Sequence, residues 1–322
     1  MDNIKHGNYV FDNFQFENGE ILENVEVSYS TFGKPKYDDG KITNLIIISH
    51  SFEESYEPYW GRELILDKNF PFDINEYFFV IIIPLGIPES CSPSKTQLNN
   101  DFPEYTIEDR VNFKRQFLNE KFSYKKIHTI LANGIGGYEA LVWASRYPDD
   151  VNFLVLFSVT SKLKGQNYIF AKCLNDLIES NEKFYVGFYD EYLIKMMVSL
   201  FKLLYIYAIP KNTLDKMSNE EIDLYIHDFE ENSLFRDLYD LYYVNKLLID
   251  YDIEDDLSNI KAKTFIVGDK YNSYLNFELD VLPLQNLIKD SIVVSVDLDR
   301  NFDKLGDISP IVDALKDFLK YS

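Results

Sequence analysis

The chain has 322 residues, 53 acidic against 32 basic for a formal net charge of -21, and a hydrophobic content of 46% with 16% aromatics. Such an apolar fraction suffices for a folded globule and excludes disorder. The acidity repels phosphate backbones and anionic lipid, so neither nucleic acid nor a membrane surface is expected as a partner.

The only two cysteines, Cys91 and Cys173, are too few for a disulfide framework or a cysteine zinc site and are expected to be free thiols. The opening residues Met1 to His6 lack a charged-then-apolar leader pattern, and the longest apolar stretch, 193–210, is interrupted by Lys195 and Lys202. A cytoplasmic location is expected.

Within the first forty residues, apolar and polar positions alternate around Asn18-Gly19, which predicts a hairpin closed by an Asn-Gly turn. The runs 45–49 and 78–83 are apolar on both faces, as strands in the middle of a covered, mostly parallel sheet must be. Ile107, Val111, Phe117 and Leu118 keep helical spacing ahead of a β-branched run at 127–132, and 153–157 is the next buried strand. Alternation of this kind predicts an α/β doubly wound sheet.

From about 161 to 248 the texture becomes helical and rich in tyrosine, which predicts a helical lid inserted between strands. Packing between helices accounts for the aromatics most simply; an interface or a ligand pocket is the sharper reading. The core is therefore assigned to 1–160 and 249–322. Thr264 to Val267 and Ile292 to Val296 read as the last strands, and Ile311 to Leu319 as a closing helix.

The informative stretch is Leu131-Ala132-Asn133-Gly134-Ile135-Gly136-Gly137-Tyr138-Glu139-Ala140-Leu141. A strand breaks at Asn133-Gly134 and continues as a helix past two more glycines. A dinucleotide fingerprint would need a glycine or alanine where Glu139 stands. The four histidines, His6, His50, His128 and His227, are scattered without metal-ligand spacing. His128 is expected in the core and His6 and His227 at the surface.

Together with Phe14 to Gly19, Val27 to Gly33, Asn44 to His50, Phe72 to Val80, Pro84-Leu85-Gly86, Phe102 to Asp109 and Tyr147-Pro148-Asp149, this stretch resembles the homoserine O-acetyltransferases of the α/β-hydrolase fold. The C-terminal half matches more weakly, through Tyr251-Asp252 and Asp280. The resemblance implies a nucleophile elbow, G-x-S-x-G, at Gly134. It further implies a ping-pong transfer in which serine takes an acyl group from acyl-coenzyme A, with histidine as base and aspartate as orienting acid.

Here the elbow residue is Gly134, which has no side chain to acylate, and the last histidine is His227, so none stands near the C-terminus where the base belongs. The tract 299–303 replaces the family's Gly-His-Asp, and Asp280 is the remnant acid by resemblance. Phe52 and Ile135 are the positions whose N–H groups would form the oxyanion hole. The expectation is a catalytically inactive homologue that binds a small molecule or a partner and forms a homodimer through the lid, with acetyl-coenzyme A involved only if activity survives. The alternative is an acyltransferase or esterase with His50 or Cys91 recruited to a non-standard site. A histidine that shapes its loop and an inert thiol are the simpler readings of these two pocket residues.

Overall fold

The first two strands, β1 (Lys5–Gln15) and β2 (Ile21–Gly33), form the antiparallel hairpin that the Asn-Gly signal predicts, with Gln15 opposite Ile21 and Gly19 at a φ of 91° in the turn. The computed structural model describes residues 4–49, 65, 68–186, 192, 195–196, 198–200, 202–203, 211–233, 237–272, 274–297 and 309–320. A two-stranded ribbon, β3 (Tyr37–Asp38) with β4 (Lys41–Ile42), leads into β5 (Leu45–Ser49). Then follow β6 (Phe78–Ile82), β7 (Ile127–Asn133), β8 (Val151–Phe157), β9 (Lys263–Asp269) and β10 (Ser291–Val296).

Among the described residues the main sheet has eight strands in the order β1-β2-β6-β5-β7-β8-β9-β10. β2 pairs antiparallel with β6, and every pairing from β6 to β10 is parallel. β5 and β6 are buried at every position, which is why their sequences are uniformly apolar.

Strand periodicity divides these side chains between two layers. Ile47, Val80, Ile130, Leu154 and Ile266 point into a core shared with helices α1 (Ile107–Lys121) and α2 (Ile135–Arg146). Ile46, Ile48, Phe79, Ile81, Leu131, Val155 and Phe265 point to the opposite face, covered by the last described helix, α6 (Ser309–Lys320), through Ile311, Leu315 and Phe318. Helices on both faces of a mostly parallel sheet make an α/β-hydrolase core of the kind the sequence predicts.

Between β8 and β9 the described segment is helical, including α3 (Gly165–Glu179), α4 (Asn219–Ser233) and α5 (Leu238–Ile249). Leu174, Ile178, Phe184, Leu200, Leu238, Tyr239 and Leu241 form a small core of their own. Tyr239 of this core donates to the Phe184 carbonyl at 2.6 Å, Tyr242, packed against it, donates to Glu179 Oε1 at 2.7 Å, and Tyr243, in the core beneath the sheet, donates to the Phe102 carbonyl at 2.8 Å. Packing thus accounts for these rings.

The chain steps from β5 outward to β6, then crosses back to place β7 on the other side of β5. In open α/β sheets the ligand crevice lies outside the carboxyl ends of strands where the order reverses. That point falls between Ser49, which ends β5, and the turn after Asn133, which ends β7.

Candidate functional site

Gly134 makes the corner between β7 and α2, with φ 53° and ψ −124° as the helix's N-cap residue. This region is sparsely populated and costs a residue with a Cβ of order 1–3 kcal/mol, a strain glycine avoids. The Gly134 N–H donates to the Phe157 carbonyl at 3.1 Å, and its own carbonyl accepts from Gly137 at 2.9 Å and Tyr138 at 3.1 Å. The corner is therefore pinned from both sides by backbone bonds alone.

At Gly137 the reason for glycine is space: a Cβ there would stand 2.2 Å from Val159 Cγ1. The helix can pass the end of β8 only because this position lacks one. Ile135 is the first residue of α2, so its N–H is among those with no intrahelical acceptor and is directed at the crevice end of the helix. Phe52 and His50 lie outside the described residues, as does the tract 299–303.

On α2, one turn below the corner, Glu139 is 1% exposed and carries a negative charge into an otherwise apolar stretch. Its Oε1 lies 2.9 Å from Arg110 Nε, an ion pair without the alignment of a hydrogen bond. Oε2 accepts from Lys114 Nζ and, at 3.1 Å, from Ser49 Oγ, and Lys114 also donates to Ser49 Oγ at 2.6 Å. Burial pushes the Glu139 carboxyl upward, but Arg110 and Lys114 outweigh it and hold the pKa below the ordinary value. Burial lowers the Lys114 pKa in spite of Glu139. The cluster ties the end of β5 to the elbow helix, and so fixes the width of the crevice between them.

Sequence reading did not pick out this cluster, although it left a trace. Arg110 and Lys114 occupy the same helical stripe as Ile107, Val111, Phe117 and Leu118, and two cations on a buried face demand a buried anion. Glu139, the single charge between the elbow glycines and Trp143, is that anion.

Asp280 is placed in a π-helical turn, Phe277–Val281, where its Oδ2 accepts from the Asn276 N–H at 2.8 Å and its Oδ1 lies 3.7 Å from Lys164 Nζ. Its described bonds are those of a cap. The carboxylate that the sheet brings to the carboxyl end of a strand is Asp269, the last residue of β9, whose Oδ1 accepts from the Tyr271 N–H at 3.0 Å. Asp269 stands earlier in the chain than Asp280, and the sequence reading passed over it.

Cys91, in the loop after β6, is 2% exposed. Burial pushes its thiol up to about 12, with the Asp240 and Glu26 carboxylates adding to the effect. The influences that shift it are burial and two carboxylates, the opposite of the cation a reactive thiolate needs. Asp240 itself, on α5, accepts from Ser94 N–H at 3.0 Å and from Ser94 Oγ at 2.5 Å, joining the helical segment to the loop of Cys91. Cys173, on α3, is exposed.

His128 lies at the amino end of β7, away from the crevice, packed against Tyr77, Phe72 and Phe153, with burial lowering its pKa. His6 pairs its Nδ1 with Ser30 Oγ at 2.8 Å. Among the described residues no group of acidic, histidine and cysteine side chains could hold a metal ion, and no helix is long and apolar enough to cross a membrane.

No protein-family model matches the chain. A protein of Methanothermobacter thermautotrophicus named "Probable acyltransferase" is 34% identical over 299 residues, 92% of this chain and 92% of that one. A homoserine O-acetyltransferase of Zymomonas mobilis is 28% identical over 193 residues, 54% of this chain and 50% of its own length. Among solved structures, a homoserine O-acetyltransferase of Staphylococcus aureus superposes with a TM-score of 0.78 at 19% identity over 98% of this chain and 95% of its own. An acetylester hydrolase of Corynebacterium glutamicum reaches 0.84 at 19% identity over 98% and 96%. At such identities the solved structures bear on the fold alone. Taken with the Methanothermobacter relative that spans nearly the whole chain, the comparisons show the family: the chain belongs to the homoserine O-acetyltransferase-like acyltransferases of the α/β-hydrolase fold.

Proposed function

We propose that this protein is a catalytically silent member of its family that works by binding. The observation that carries the reading is Gly134: the backbone at φ 53° and ψ −124° holds an elbow, and the residue there has no atom to acylate. The absence of any histidine after His227 supports the same conclusion, because a covalent acyl transfer needs a base as well as a nucleophile. The Cys91 thiol, buried and held protonated, offers no substitute.

The ligand in this reading is a small molecule seated at the crevice between Ser49 and Ile135, with an acidic or carbonyl oxygen facing the Ile135 N–H. A second copy of the chain is the proposed partner, docking on the helical segment 161–248, where Tyr168, Ile169 and Leu177 of α3 are exposed apolar side chains. The cytoplasm is the proposed compartment.

The test is turnover. With acetyl-coenzyme A and homoserine, or with a p-nitrophenyl acyl ester, the purified protein should release no thiol or phenol above the uncatalysed rate. A kcat/KM of about 10⁴ M⁻¹s⁻¹ or more, the lower end for enzymes, overturns the reading.

A further inference from the structure

Helix α5 meets the core along the chain between Cys91 and Glu104. Several bonds that close this seam are indifferent to pH near neutrality: the Tyr243 hydroxyl donates to the Phe102 carbonyl at 2.8 Å, and Asn100 Nδ2 donates to the Phe184 carbonyl at 2.6 Å. Asp240 is of another kind. It is 6% exposed and is the one buried carboxylate among the described residues of 161–248. Its Oδ1 accepts from the Ser94 N–H at 3.0 Å and its Oδ2 meets Ser94 Oγ at 2.5 Å, so these contacts cross from the helical segment to the core.

Among the described residues no ion pair reaches Asp240. On its own helix Asp237 adds a charge of the same sign, and Lys246 is held by Glu104. From the core it faces the Cys91 thiol and the Tyr105 phenol, which stacks on Tyr243; burial keeps both protonated. The cations of the neighbouring elements are taken: Lys95 lies 3.8 Å from Glu26, and Arg110 lies 2.9 Å from Glu139. The seam accommodates either state of the carboxyl. Ionised, Asp240 accepts from the Ser94 hydroxyl; neutral, it donates its own proton across the same contact, and Ser94 Oγ turns its hydrogen to Ser92 Oγ at 3.2 Å. Burial without a cation favours the neutral state.

We propose that this contact is a proton-operated latch: below neutral pH the docked helical segment carries Asp240 protonated, and the proton leaves when α5 lifts from the loop of Cys91 into water. Burial pushes the docked carboxyl up to about 7 against the pull of the Ser94 bonds, with Asp237 adding to the rise. A lifted carboxyl ionises in the ordinary aspartate range, so docking takes up a proton. The latch is therefore fully set below that range and weakens as the pH rises from there to about 7. It works in the same way whatever the crevice binds.

Amide hydrogen exchange on the full chain is the test, with the chemical exchange rate divided out at each pH and peptides of β7 as the reference for whole-molecule unfolding. Peptides from 93–97 and from α5 should open about tenfold more often per pH unit between about pH 5 and 7 and level off above, the slope of one released proton. Asp240→Asn cannot ionise yet still offers Ser94 an acceptor, and should give a flat profile. Ser94→Ala removes a bond that favours the carboxylate, and should carry the levelling-off point to higher pH with the slope unchanged. A flat profile in the wild type, or the wild-type slope in Asp240→Asn, overturns the proposal. Should Asp240→Asn fail to fold, an unmoved levelling-off point in Ser94→Ala overturns it instead.

Discussion

The corner after β7 and the segment after β9 sit at the same edge of the sheet and would contribute the two ends of one catalytic chain, yet they have fared differently. At the corner, everything made of backbone is in place: the positive φ of Gly134, its hydrogen bonds to both neighbours, and the close pass of Gly137 by Val159. After β9, the groups present are tied up locally, Asp269 with Tyr271, Asn272 with Tyr274 and Leu275, and Asp280 with Asn276 and Lys164. The difference teaches that fold requirements protect backbone geometry. A sheet cannot hand its central strand to a helix without that turn, whereas a side chain used only for chemistry can be replaced at little structural cost.

The sharpest way to break this contrast is to attack what supports the corner from below. Glu139→Leu leaves Arg110 and Lys114 buried without their anion and should cost about 3–5 kcal/mol in chemical denaturation. A loss below 1 kcal/mol would mean that the cluster is not what braces the elbow. Next comes Gly137→Ala, where the added Cβ meets Val159 at 2.2 Å and overpacking should cost about 1–3 kcal/mol. Pairing it with Val159→Ala should recover most of the loss; if it does not, the contact does not explain the glycine.

Gly134→Ser tests geometry against chemistry in one variant. The serine must adopt a φ near 53°, so stability should fall by about 1 kcal/mol. Ester hydrolysis should still be missing, since the chain has no histidine beyond His227. Robust turnover in that variant would show that the other end of the catalytic chain survives. The mildest effect belongs to Asp280→Ala, which removes a cap from Asn276 and should cost about 0.5–1 kcal/mol with ligand binding unaltered. A larger defect in binding would return Asp280 to the site.

The fold was legible because its signals are local and periodic. Ile46 and Ile47 belong to opposite cores, and a run that is apolar on both faces can only be an interior strand. The elbow was legible too, as a strand followed by glycines whose conformations few other residues tolerate. The ion cluster was not, because Ser49, Arg110, Lys114 and Glu139 come from three separate elements that only the folded sheet brings together. Asp269 was missed for a different reason. It reads as one more acidic residue in an acidic chain until the pairing of β9 with β8 and β10 shows that it ends a strand at the carboxyl edge of the sheet. Asp280 drew attention through the resemblance, and the structure adds that its carboxylate accepts from the Asn276 N–H and lies near Lys164.

The two thiols have one further use. Cys91 is sealed in the core loop and Cys173 is open on α3, the helix that also exposes Tyr168, Ile169 and Leu177. The unaltered protein therefore carries a single address for a maleimide dye, placed on the surface proposed to meet a second copy. Self-quenching of that dye on concentration would report assembly optically, with no engineered cysteine to disturb the molecule.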